Sequence, residues 1–154
     1  MSKSNSKSSE DIERINMLWS SEHEDFLTKI KDESKKKSLK QDLKYKKFKK
    51  IYYGLSIPNV ILPLTLAALN PLFLNIATVN IVGAASTSII AGLLGLANLN
   101  ERIASHLNYR ERFQQLVNEI ELILIKKKKD REPADVTLER IKALFDHLSQ
   151  LSQD

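Results

Sequence analysis

Three histidines, His23, His106 and His147, are the residues best suited to acid–base or metal chemistry, and they stand far apart. None has a second histidine three or four residues away, and the chain has no cysteine, so no metal-ligand spacing exists. Glu22, Glu24 and Asp25 crowd His23. Such a group suits a cation or proton transfer, but charges at a helix start are far more often a solvated face. His106 lies beside Arg102, Tyr109 and Arg110. The expectation there is a buried interface histidine, with pH sensing as the sharper use. The chain has no Gly-rich phosphate loop, no G-x-S-x-G and no HExxH. These residues point away from an enzyme, and no cofactor or metal site is expected.

The lysines are the stronger signal. Runs at Lys35–Lys37, Lys44–Lys50 and Lys126–Lys129 help to give a formal charge of +5 and a pI near 9.3. The excess is N-terminal: residues 1–50 carry fourteen bases and nine acids, residues 101–154 ten of each. A nucleic-acid reader wants arginine for base edges and aromatic platforms for stacking. Lysine, a point charge on a flexible stem, suits phosphate head groups. Lys44, Lys46, Lys47, Lys49 and Lys50 interleave with Tyr45, Phe48 and Tyr52. That pattern predicts an interfacial zone, with Tyr at head-group depth and Lys reaching anionic lipid. An anionic bilayer is the expected partner, ahead of nucleic acid.

The residues after those lysines explain them. Residues 51–100 contain no Asp, Glu, Lys, Arg or His, and hold all four glycines and three of the four prolines. Two transmembrane spans are predicted, at about 51–69 and 79–99, each near the ~20 residues that cross a bilayer. Basic residues flank both outer ends and none occupies the connection. Both termini are then cytoplasmic, with the Asn70–Thr78 turn outside. Pro58 and Pro63 predict a kinked first span. The nine Val, Ile and Leu residues of the second favour insertion by about 4 kcal/mol before its polar residues are subtracted. The spans are thus expected to insert together and be completed by partners. Ala84, Ser88, Ala91, Gly95 and Asn98 form a stripe of small or polar residues at helical spacing. It suits packing on the first span, packing on another copy, or lining of a narrow wet path. With no ionisable group inside the spans beyond tyrosines at one edge, a membrane-embedded reaction centre has nothing to work with.

The fold class expected is all-α: a two-helix transmembrane hairpin continuous with a small cytoplasmic helical bundle. Residues 1–9, rich in Ser and Lys and without the apolar region of a secretion signal, predict a disordered tail. Residues 10–50 form N-terminal cytoplasmic helices and the basic approach to the membrane. Ile12, Ile15, Leu18/Trp19, Phe26 and Ile30 have helical spacing, Ser21–Glu24 has capping-box spacing, and a break is expected near Ser34–Ser38. Residues 101–154 form a C-terminal helical hairpin. The second span runs straight into its first helix. Tyr109, Phe113, Leu116, Ile120 and Ile123 make a seam there, and Lys126–Lys129 end the helix. Asp135 caps a last helix with Leu138, Ile141, Phe145 and Leu148 on one face. That helix folds back on the seam, with Ile12, Ile15 and Trp19 as a third contributor.

This layout resembles the SLATT family, two-transmembrane proteins of bacterial conflict systems and large DNA viruses. The resemblance covers nearly the whole chain. It is carried by Trp19 and His23, the approach Tyr45-Lys-Lys-Phe-Lys-Lys-Ile-Tyr52, the hairpin 57–99, and His106 through Phe113-Gln-Gln-Leu-Val-Asn-Glu-Ile120. It implies a membrane effector that homo-oligomerises and perforates or perturbs a bilayer. A different class of reading keeps the hairpin as an anchor only, with the cytoplasmic seam recruiting a protein partner. A third makes the apolar stretch the core of a soluble bundle. The roughly fifty residues on each side are too few and too charged to cover it.

Overall fold

The computed structural model describes residues 19–69 and 76–152; Ile12, Ile15, the expected tail and most of the expected outer turn lie outside them. The described residues contain helices and no strand. Helix α1 is Ser21–Leu69, α2 is Ile76–Leu96, α3 is Leu99–Ile125 and α4 is Ala134–Leu151, with a 3-10 turn at Lys128–Asp130. The chain forms two compact units: residues 42–107, and the segments on either side of them.

In three places the helices depart from the sequence expectation. The N-cap of α1 is Ser20, not Ser21. The His23 backbone N–H donates to Ser20 Oγ at 3.2 Å, and the Ser20 N–H donates to His23 Nδ1 at 3.4 Å. That is a capping box with histidine in the place usual for Glu, one residue earlier than expected. The predicted break at Ser34–Ser38 is absent, because tertiary packing overrides the modest helix propensity of serine. Ser34, Ser38 and Gln41 are buried, Ser38 Oγ donates to the Arg110 carbonyl at 3.3 Å, and Gln41 Nε2 donates to that of Ser152 at 3.2 Å. Asp135 is not a cap. Helix α4 starts at Ala134 behind Pro133, without a side-chain cap, and Asp135 sits in the first turn, where its charge complements the helix dipole.

In the unit formed by the flanking segments, Trp19, Leu27 and Ile30 meet Phe113, Leu116 and Ile120 of α3 and Ala134, Ile141 and Leu148 of α4 in one core. Ile123, Leu138 and Phe145 pack around it partly buried. Of the seam, Phe113, Leu116 and Ile120 reach the interior, while Tyr109 and Ile123 sit at its margin. Leu27, with no exposed surface, is the α1 core residue that sequence spacing missed, and Phe26 beside it is 38% exposed. Arg131 pins the connection between α3 and α4. Its guanidinium donates to Glu24 Oε1 at 2.6 Å and to the Leu124 and Lys126 carbonyls at 2.8 Å each, and lies 5.0 Å from the Trp19 ring centroid. The Trp19 indole N–H in turn donates to the Glu132 carbonyl at 3.0 Å.

Candidate functional site

The unit spanning residues 42–107 contains the chain's uncharged stretch, whose described helices expose mostly apolar side chains. Two helices are long and apolar enough to cross a membrane, and their most apolar windows are 0% and 6% buried. Eleven large apolar residues between Ile51 and Leu96 are exposed, from 40% at Ile51 to 88% at Leu96. A soluble protein's core helix would bury such a window; these helices turn it outward.

The hydroxyls on these helices bond back to the carbonyls of their own helix. Thr65 Oγ1 donates to the Ile61 carbonyl at 2.9 Å, Ser86 Oγ to Val82 at 2.8 Å and Ser88 Oγ to Ala84 at 2.8 Å. Thr87 Oγ1 donates to Ala84 at 3.0 Å. Back-bonding of this kind satisfies a hydroxyl without water or a second helix. Ser56 differs: its Oγ is buried with no partner.

The two apolar helices touch along a face other than the predicted stripe. Val79, Gly83, Thr87, Ile90 and Leu94 of α2 are buried or half-buried, as are Tyr52, Leu55, Asn59, Leu62 and Leu66 of α1. The closest approach is at Gly83: a Cβ there would lie 2.2 Å from Leu66 Cδ1. Glycine is what lets the helices close at that level. All five residues of the predicted stripe, Ala84, Ser88, Ala91, Gly95 and Asn98, are exposed instead. They sit one residue further along, about 100° around the helix, and nothing lies within 4 Å of a Cβ built on Gly95. Packing on the first span is therefore made by the neighbouring face. The small-residue pair Gly83/Thr87, four apart, was the sequence signal that could have marked it.

The second span does not run straight on. Helix α2 ends at Leu96, and Asn98 adopts a left-handed backbone with φ of 44° before α3 begins. Asparagine tolerates this conformation better than most side chains. The last stripe residue is thus a backbone corner and not a turn of regular helix. Pro58 and Pro63 both lie inside α1, which remains helical through them.

The basic approach is organised around aromatic rings. Lys49 Nζ donates to the Tyr45 hydroxyl at 3.0 Å and sits 5.2 Å from the Tyr45 ring centroid and 6.0 Å from that of Tyr53. The bond to Tyr45 raises the Lys49 pKa above the usual lysine value. Lys46 pairs with Asp42 at 2.7 Å, Lys44 is half-buried, and Lys47 and Lys50 are exposed. His106 is 8% exposed and stacks on Phe48, with centroids 5.3 Å apart and planes 11° apart. The Arg102 guanidinium lies 5.8 Å from the same Phe48 ring. Burial, then the charges of Lys44 and Arg102, push the His106 pKa below its usual value, which keeps the ring neutral where it stacks. His23 is absorbed in the α1 cap, and its expected carboxylate neighbour Glu24 turns to Arg131 and Lys128. Among the described residues no group of three His, Cys, Asp or Glu is placed to hold a metal.

The chain matches no protein-family model, and no curated protein or solved structure is significantly similar to it.

Proposed function

We propose that this chain is an integral membrane protein whose two apolar helices cross the bilayer as a hairpin, with both termini in the cytoplasm. The flanking helices form a small cytoplasmic bundle, and the protein self-associates in the membrane to perforate or perturb it, as the resemblance to SLATT effectors implies. One observation carries the reading: the apolar windows of both helices are almost wholly uncovered. Half-exposed Ile, Val and Leu side chains gain about 1 kcal/mol each on leaving water. Ten of them make lipid the favoured medium by ~10 kcal/mol. Lys44, Lys46, Lys47, Lys49 and Lys50 lie just before the apolar part of α1, placed for contact with anionic head groups. The exposed stripe Ala84, Ser88, Ala91, Gly95 is the face left for a second copy, since α1 occupies the Gly83 face.

Membrane fractionation tests the location. The protein stays in the pellet through carbonate and high salt; release without detergent overturns the membrane reading. Dye release from liposomes of anionic lipid tests perforation. Purified protein releases dye, and Gly95→Leu or Ser88→Leu reduces release strongly while the protein remains inserted. Absence of release at every protein-to-lipid ratio removes perforation and leaves the anchor.

A second reading, a membrane-anchored interaction module, is favoured by an open groove of about 520 Å³ between α3 and α4 that has buried Leu116 and Leu148 in its lining. Under it, replacing residues 51–100 by an unrelated hairpin preserves function; under perforation, the swap abolishes it.

A further inference from the structure

Where the uncharged stretch begins and ends, α1 and α3 meet through a pair of rings. Phe48 of α1 stacks on His106 of α3 at 5.3 Å, and each ring is accompanied by a cation. Lys44 precedes Phe48 by four residues and Arg102 precedes His106 by four, so each cation shares a helix face with its ring. The Arg102 guanidinium lies 5.8 Å from the Phe48 centroid, and Lys44 is half-buried. The charges of both act on the His106 ring. Two helices thus bring two cations to one buried imidazole.

No acid of the chain neutralises them. Among the described residues, neither Lys44 nor Arg102 pairs with a carboxylate. Cations elsewhere do: Lys46 with Asp42, Lys35 with Glu121, Arg140 with Glu119 and Glu132, and Arg131 and Lys128 with Glu24. Glu101, the neighbour of Arg102 in sequence, is exposed and stands about 100° around the helix from it. Both charges that shift His106 are positive. Like charges gathered at a neutral ring repel one another, and an anion seated between them relieves that repulsion.

Their position selects the anion. Arg102 is the first cation after the uncharged stretch, and Lys44 lies seven residues before it, about 10 Å along a helix. A lysine at that distance extends its stem along apolar surface and returns its ammonium to the head-group layer. Arginine grips a phosphate with two parallel N–H bonds, and lysine adds a point charge. We propose that Lys44 and Arg102 jointly hold the phosphate of one anionic lipid beside the Phe48–His106 stack. The inference rests on the membrane reading and narrows it: a run of lysines on one helix attracts any anionic surface, whereas two cations from two helices make a site for one head group. The bound phosphate bridges α1 and α3. It also reverses the field at His106 and favours the imidazolium, so lipid and proton bind cooperatively.

His106 reports the occupant. The full-length protein, isotopically labelled at histidine, is titrated by NMR in nanodiscs of phosphatidylcholine with and without phosphatidic acid; His23→Gln and His147→Gln assign the signal. An anionic surface at about −30 mV by itself raises an interfacial midpoint by ~0.5 unit, and Lys44→Gln/Arg102→Gln measures that part. In the natural chain, phosphatidic acid raises the His106 midpoint by about one unit more than in this variant. Each single Gln substitution removes part of the extra rise, and Lys44→Arg/Arg102→Lys, which keeps both charges, retains it. Helical circular dichroism is the same in all. Equal rises in the natural chain and the double Gln variant reflect surface potential alone and overturn the site. So does the absence of any rise in protein that has entered the nanodisc. The same extra rise from soluble glycerol phosphate, with phosphatidylcholine as the only lipid, assigns the site to a free phosphate and overturns the lipid. Protein that does not enter the nanodisc overturns the membrane reading itself, and this site with it.

Discussion

Gly83→Ala probes the contact between the two apolar helices most directly. The added Cβ meets Leu66 Cδ1 at 2.2 Å, with Leu66 Cγ at 3.7 Å. Overlap of that depth forces a new Leu66 rotamer or separates the helices, and overpacking of this kind costs about 1–3 kcal/mol. The substitution also gains about 1 kcal/mol of helix propensity, which would mask the loss if Gly83 were measured alone. Gly92→Ala, in the interior of the same helix and outside the stripe, supplies the reference. It makes the same propensity gain, and nothing lies within 4 Å of its new Cβ. The difference between the two variants is therefore the contact alone, about 1–3 kcal/mol against Gly83→Ala. Unfolding of the purified protein in mixed micelles by increasing denaturing detergent, followed by circular dichroism, reads that difference. Leu66→Ala in the Gly83→Ala background tests the mechanism. Removing the side chain that the Cβ strikes makes the pair of substitutions less damaging than their sum, with a coupling of ~1 kcal/mol or more. Equal stability of Gly83→Ala and Gly92→Ala, or additivity in the double variant, refutes the assignment of Gly83 to the α1–α2 contact.

Three other outcomes rest on single sites. Arg131 and Lys128 hold the Glu24 carboxyl below the usual carboxylate pKa, the Arg131 bond being the larger cause. The unfolded chain then binds the proton first, so this stability is present above the ordinary Glu pKa of about 4.3 and is lost as pH falls through the folded value; in acid unfolding, Glu24→Gln flattens that part of the profile. His106 titrates by NMR with a midpoint below about 6.5, and Arg102→Gln or Lys44→Gln moves the midpoint up, because each removes a repelling charge. At Asn98, whose backbone is left-handed, Asn98→Gly leaves stability in micelles near that of the natural chain, whereas Asn98→Val costs about 1–2 kcal/mol; equal effects of Gly and Val contradict the corner.

Much of this architecture is written in composition. An uncharged stretch of fifty residues with lysines and tyrosines before it is long enough for two apolar helices, and a helix satisfies its backbone hydrogen bonds within its own segment. The helical periodicity of Phe113, Leu116 and Ile120 likewise identified the face that reaches the core, since burial and spacing of that kind are local to one helix. Helix ends were read to within a residue where a capping side chain or a lysine run marks them, as at Ser20 and after Ile125.

What the sequence could not determine was which of two adjacent faces meets a neighbour. Ala84–Asn98 and Val79–Leu94 differ by one residue of register, and both carry small side chains. The choice rests on Leu66, seventeen residues upstream of Gly83, and on a close approach that exists only once both helices are placed. Ser34 and Ser38 read as a break for the same reason: their propensity is local, while their burial, and the Ser38 bond to the Arg110 carbonyl of α3, belong to the tertiary fold. The left-handed Asn98 interrupts an unbroken apolar pattern, because hydrophobicity is blind to the sign of φ. Periodicity and charge are properties of one segment and were legible in the chain. Register, corners and partners are properties of pairs of segments, and only tertiary packing decided them.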